Sequence, residues 1–181
     1  MVYMFLADGF EEIEALYTVD ILRRAGIEIQ TVGVSDKIAN GSHKIPVVCD
    51  IFKNELDEND DFDMIILPGG LPGSTNLDAD ETVDKFISIA AAKGKYICAI
   101  CAAPFILGKR GLLNGKRATC FPGFESQLIG ATTVDAGCVL DGNIITGRAM
   151  GAAPEFALKI LSVLKGDEAA ELMKKSIILD K

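Results

Sequence analysis

Cys101 stands in the run Lys95-Tyr96-Ile97-Cys98-Ala99-Ile100-Cys101-Ala102-Ala103-Pro104. Mostly apolar residues lead up to the sulfur and two small residues follow it. A proline then falls in the first turn of the next segment, where a missing N–H costs no helical hydrogen bond. This order predicts a strand, a sharp turn carrying the cysteine, and a helix, similar in logic to the nucleophile elbow of hydrolases. Unpaired N–H groups and the helix dipole at such a terminus favour an anion, here a thiolate. The chemistry on offer is nucleophilic addition or reversible oxidation at one sulfur. Cys98 and Cys101 also form a C-x-x-C pair, which suggests a dithiol. Positions three apart on an extended strand are separated by about 10 Å, whereas a disulfide needs Cα atoms within about 7 Å. Cys98 is therefore expected in the core.

The elements around this run alternate. Residues 2–7, 27–34, 62–67, 96–100 and 117–120 read as strands. Residues 11–25, 81–92, 104–110, 153–164 and 167–175 read as helices, several of them stopped by glycine (Gly26, Gly94, Gly166). Asn40-Gly41 and Asp141-Gly142 are hairpin signals, with return arms at 45–49 and 144–146. Buried strands alternating with amphipathic helices predict an α/β fold: a doubly wound, mostly parallel sheet sandwiched by helices, flavodoxin-like in outline. Ligands of such sheets bind beyond the carboxyl ends of the strands. Three loops would share that rim: Asp8-Gly9-Phe10-Glu11-Glu12-Ile13-Glu14, Pro68-Gly69-Gly70-Leu71-Pro72-Gly73, and the turn at Cys101.

Composition narrows the function classes. The chain has 181 residues, 49% of them hydrophobic, and a net charge of −8. A chain of this length buries roughly 70% of its unfolded surface, and no linker, repeat or low-complexity tract divides it, so residues 1–181 are read as a single domain. The acidic balance opposes nucleic-acid binding, which needs a basic footprint. The acidic stretch Asn54-Glu55-Leu56-Asp57-Glu58-Asn59-Asp60-Asp61 reads as a solvated loop. No segment approaches the length of a membrane span. The short apolar run at 2–7 lacks the basic start of a signal peptide and reads as a core strand. Five cysteines without an export signal fit reduced thiols in the cytoplasm. Their spacing with the single His43 matches no zinc site, and the glycine turn at 69–73 lacks the P-loop lysine. No metal and no cofactor are expected.

Several segments together carry a resemblance. Ala7-Asp8-Gly9-Phe10-Glu11-Glu12-Ile13-Glu14, Asp20-Ile21-Leu22-Arg23-Arg24-Ala25-Gly26, Leu67-Pro68-Gly69-Gly70, Ala99-Ile100-Cys101-Ala102-Ala103-Pro104 and Glu155-Phe156-Ala157-Leu158 are similar, in order and nearly end to end, to the ThiJ/PfpI superfamily. The match is strongest to its DJ-one branch, the parkinsonism-associated deglycase type. The resemblance implies that Cys101 is the nucleophile and that Glu14 contacts its sulfur. It also implies that backbone N–H groups at Gly69, Gly70 and Ala102 bind substrate and an oxyanion. A carboxyl beside a thiolate should be raised in pKa and kept protonated, ready to act as general acid and base.

The implied activity is a cofactor-independent, glutathione-independent glyoxalase or deglycase acting on methylglyoxal, glyoxal or their early adducts. It is classed as a lyase or hydrolase. Homodimerisation through the first helix, with Tyr17 and residues 20–26, is implied as well. Two positions depart from some relatives. Phe121 stands where some carry a histidine, and His43 follows Ser42 where some carry an arginine. Both are candidates for the substrate's surroundings. An oxidative-stress sensor or redox-regulated chaperone working through Cys101 oxidation is the alternative. A cysteine amidase or peptidase is disfavoured, because peptidase-like relatives place a histidine directly after the cysteine and Ala102 holds that position.

Overall fold

Consecutive side chains of a strand point to opposite faces, so a strand covered on both sides must be apolar throughout. The computed structural model, which describes residues 1–179, shows this in its central strands. In chain order the elements are β1 (Val2–Leu6), α1 (Glu12–Arg24), β2 (Ile29–Gly33), β3 (Ile38–Asn40), β4 (Pro46–Val48), β5 (Ile51–Phe52), β6 (Met64–Leu67), α2 (Gly73–Ala79), α3 (Glu81–Ala92) and β7 (Tyr96–Ile100). There follow α4 (Pro104–Lys109), β8 (Arg117–Ala118), β9 (Thr132–Thr133), β10 (Cys138–Asp141), β11 (Ile144–Gly147), α5 (Ala153–Lys165) and α6 (Asp167–Ser176).

Seven strands form one sheet in the order β10-β11-β7-β6-β1-β2-β5. All pairs are parallel except β10 with β11. This is the doubly wound sandwich that alternating strand and helix require. Met4, Leu6, Ile66, Cys98 and Ile100 face one layer, where they meet Ala15, Leu22, Phe156 and Ile160 of α1 and α5. Tyr3, Phe5, Ile65, Leu67, Ile97 and Ala99 face the other, against Leu77, Phe86 and Ile106 of α2, α3 and α4. Cys98 is fully buried in the first layer, as its place on the strand demands.

The carboxyl ends of β1, β6 and β7 are neighbours in the sheet. Their register, Met4↔Ile66 and Leu67↔Ala99, brings the three predicted loops to one rim. The β3–β4 hairpin pairs Asn40 with Pro46. It stands off the main sheet and docks on the loop after β1 through an isolated bridge, Phe10↔Gly41.

The differences from the sequence reading have local causes. α2 lies beyond the glycine turn at 68–73, in a stretch where the sequence suggests no helix, and its Gly73 and Ser74 are poor helix formers. It forms because Leu77 is fully buried in the second layer. The strand expected at 117–120 shortens to β8, which pairs with β9 in a small sheet apart from the main one. Thr119 leaves the ladder to donate its N–H to Thr146 Oγ1, at 3.0 Å. The acidic stretch is an exposed loop, as expected, with Asp60 accepting a hydrogen bond from the Tyr3 hydroxyl at 3.0 Å. Among the described residues, no helix is long and apolar enough to cross a membrane.

Candidate active site

β7 ends at Ile100, and the chain turns at Cys101 with φ of 64°. A non-glycine residue seldom holds this left-handed conformation, and such strain persists only where the surroundings fix it. Here both main-chain groups are fixed. The Cys101 N–H donates to the Gly147 carbonyl at 2.9 Å, and its own carbonyl accepts from the Phe121 N–H at 2.8 Å. The elbow predicted from the sequence is therefore present, held by β11 on one side and the loop after β8 on the other.

Glu14 lies in the first turn of α1 and is 1% exposed. Its Oε2 accepts the Gly69 N–H at 2.9 Å. Its Oε1 is buried with no hydrogen-bond partner among the described residues. The carboxyl interacts with the Cys101 thiol. A bare buried carboxylate oxygen is costly, and burial pushes the Glu14 pKa up to about 7, with the charge of Glu11 adding to the effect and hydrogen bonds from Cys101 and Gly69 opposing it. Gly69 has to be glycine, since a Cβ there would lie 2.6 Å from both the Cys101 Cβ and Glu14 Oε2.

Two expectations change in the folded site. The first concerns the sulfur. α4 is six residues long and begins at Pro104, three residues beyond the cysteine, so a helix dipole contributes little. Burial pushes the Cys101 thiol up to about 12, followed by the Glu14 charge and hydrogen bond. The N–H groups of Ala102 and Gly70 pull the other way. Two acids in contact titrate as a pair. Protonating Glu14 removes the carboxylate repulsion, so the thiolate belongs with a neutral Glu14. The second change concerns Gly69, whose N–H is taken by Glu14 and is not free for an oxyanion. Gly70 and Ala102 keep their N–H groups directed at the sulfur.

His43 is not at the cysteine. Its ring is 73% exposed, and Nδ1 lies 2.9 Å from Glu12 Oε2. Phe121 is attached to the elbow through its main chain, with a side chain 44% exposed. Sequence reasoning missed Glu12, which is 3% exposed and accepts hydrogen bonds from Ser42 Oγ and from the His43 N–H as well as pairing with the ring. A charged residue between two other glutamates gives no local sign of burial. Among the described residues, Glu11, Glu12 and His43 bring ligand-type atoms within 4.8 Å of one another. These atoms are committed to the protein's own donors, Glu11 Oε2 accepting the Glu14 N–H at 2.7 Å. A cavity of about 750 Å³ between α5 and α6 is lined by Arg148, Glu155, Lys159 and Glu171 and by none of the residues around Cys101.

A parallel α/β sheet with a strained cysteine at a strand–helix elbow, a buried glutamate against the sulfur and two N–H donors beside it defines a class of cysteine-centred α/β proteins. The DJ-1/PfpI family model matches residues 1–163, and the chain belongs to that family. It is 36% identical to Drosophila melanogaster protein dj-1beta, over 97% of this chain and 95% of that protein. The crystal structure of that protein superposes with a TM-score of 0.93 at 35% identity, covering 99% of this chain and 98% of the other. The chain is also 33% identical to a Caenorhabditis elegans protein named a glutathione-independent glyoxalase, over 94% of this chain and 91% of the relative. It is 32% identical to a Pyrococcus abyssi protein named a deglycase, over 91% of this chain and 99% of the relative.

Proposed function

We propose that the protein is a glutathione-independent glyoxalase with deglycase-type chemistry, acting on methylglyoxal or glyoxal and on their early adducts. The observation that carries this reading is Glu14, buried against Cys101 with a carboxyl pushed up to about 7. The names of the nematode and archaeal relatives support it. The Cys101 thiolate adds to the aldehyde carbon, and the carbonyl oxygen becomes the oxyanion of a hemithioacetal. The N–H groups of Gly70 and Ala102 are the donors that stabilise that charge. Glu14 gives its proton to the oxyanion, takes a proton from the former aldehyde carbon, and returns it to the neighbouring carbon through an enediol. The product is a thioester on Cys101. Water hydrolyses it to lactate or glycolate and restores the thiol, so the net reaction is aldehyde plus water to hydroxy acid. No cofactor takes part.

The test is lactate formation from methylglyoxal by purified protein treated with chelator and free of glutathione. Turnover by the wild type and its loss in Cys101→Ser support the reading. Equal turnover by the two removes it.

A second reading, an oxidation sensor or redox-regulated chaperone, is favoured by the partial exposure of Cys101 beside an acid able to hydrogen-bond a sulfinate. Intact-mass measurement after mild peroxide should show two added oxygens confined to Cys101. Oxidation spread over all five cysteines counts against it. An amidase or peptidase role has less support, since the single histidine is engaged by Glu12.

The working form proposed is a homodimer in the cytoplasm. The contact proposed runs along α1 with Tyr17 and residues 20–26, and Ile13 adds an exposed apolar side chain on the same helix. Sedimentation at micromolar concentration decides the assembly. The whole of residues 1–181 is taken as one functional domain.

A further inference from the structure

Glu12 and Glu14 are two positions apart on a helix, so their side chains leave α1 in roughly opposite directions. Glu14 goes to the cysteine. Glu12 goes to the corner of the β3–β4 hairpin, where its Oε1 accepts the His43 N–H at 2.7 Å, and its Oε2 accepts from Ser42 Oγ at 3.1 Å and meets His43 Nδ1 at 2.9 Å. The fit is tight, since a Cβ on Gly41 would lie 2.2 Å from Glu12 Oε1. The main chain continues the seam. Ser42 N donates to the Phe10 carbonyl at 2.7 Å, Gly9 N to the Asn40 carbonyl at 2.7 Å, and Asn40 N to Asp8 Oδ1 at 2.8 Å. On the other side of the same segment, Glu11 N donates to the Gly69 carbonyl at 2.9 Å and Gly73 N to the Gly9 carbonyl at 3.1 Å. Residues 8–12 are thus held between the hairpin and the turn that carries Gly69 and Gly70.

We propose that Glu12 is a positioning residue: by clamping Ser42 and His43 it fixes the 8–12 segment, and through it the placing of Glu14 and Gly70 around Cys101. This rests on the reading of Cys101 and Glu14 as the reacting pair. A carboxylate this buried is tolerated only when its oxygens are satisfied, and three donors from one loop fix its rotamer. Remove them and the segment is held by its main-chain hydrogen bonds alone, and small displacements of a reacting group are expensive in rate. The charged groups facing His43 are Glu12 and Glu11 from the start of α1, and Lys44 follows it on its own hairpin. The hydrogen bond and charge of Glu12 raise the His43 pKa. The charged clamp is therefore complete below the ordinary imidazole range and is weakened as pH rises through the raised value.

The experiment compares wild type, Glu12→Gln, Ser42→Ala and His43→Gln by the rate of Cys101 alkylation with iodoacetamide across the neutral pH range. The site is read by mass spectrometry, alongside lactate formation and urea unfolding. Glu12→Gln is expected to displace the pH profile of alkylation and to lower kcat by about tenfold with little change in KM. Ser42→Ala and His43→Gln should shift the profile the same way by less, and they carry the test should Glu12→Gln fail to fold. Profiles that superimpose on wild type while urea stability falls would overturn the proposal and leave Glu12 a purely structural carboxylate. If wild type itself forms no lactate, the glyoxalase reading is lost, and the alkylation profiles still decide the role of Glu12.

Discussion

Two glutamates on one turn of α1, almost equally hidden from water, are driven in opposite directions. Glu14 has the Gly69 N–H, the Cys101 thiol and a bare Oε1, and burial raises its pKa to about 7. Glu12 is opposed by burial as well, but the hydrogen bonds from His43, Ser42 and backbone N–H groups outweigh it and its pKa is lowered. Burial alone therefore does not set the charge of a hidden carboxyl. Depth of burial and the supply of donors decide together, and here they raise one carboxyl and lower the other on roughly opposite sides of one helix.

The largest expected effect comes from abolishing this contrast at Glu14. Glu14→Gln should cut lactate formation by about a thousandfold, since it removes the proposed proton carrier. The same change should stabilise the fold at alkaline pH. A carboxyl raised from 4.5 to about 7 contributes stability that is fully present below the unfolded value and is lost as pH rises through the folded one. The loss is about 3 kcal/mol at most. Urea unfolding should show wild type weakening over that window and Glu14→Gln staying level. A wild-type curve flat across the window would break the comparison.

Gly69→Ala comes next. Its Cβ would meet both Cys101 and Glu14, and overpacking of this kind costs about 1–3 kcal/mol. A loss of activity out of proportion to the loss of stability is expected, measured as kcat beside the unfolding midpoint. Gly41→Ala makes the parallel intrusion on Glu12 and is expected to cost less, about 1 kcal/mol, because it meets only the Glu12 side chain, whereas Gly69→Ala also meets the Ile100 carbonyl. Equal effects of the two substitutions on kcat would mean that the sides of the turn are not distinct. Phe121→Ala should do least. Its N–H to the Cys101 carbonyl survives, so stability should change within about 0.5 kcal/mol, with any kinetic change confined to KM.

Much of this was legible in the chain. The fully apolar run of β6 and the strand before Cys101, the glycine stops after α1 and α3, and the hairpin dipeptides gave the element order and the fold. The small residues and proline after Cys101 gave the elbow. The family pattern pointed to Glu14. Other features could not be read. α2 has no apolar periodicity and forms only because Leu77 finds the core. His43 could be read as exposed or as a neighbour of the site, and the Glu12 that pairs with it lies 31 residues away. Gly69 looked like an oxyanion donor until Glu14, 55 residues away, claimed its N–H.

The sequence by itself determined the elbow at Cys101 and the strands that bring the three loops to one edge, because side-chain period and turn chemistry are local properties of the chain. Only the tertiary structure decided where the protons reside. That depends on how much water each group loses and which distant N–H or O–H replaces it, quantities that exist only once Glu12, Glu14 and Cys101 have been packed against Ser42, His43, Gly69 and Gly70.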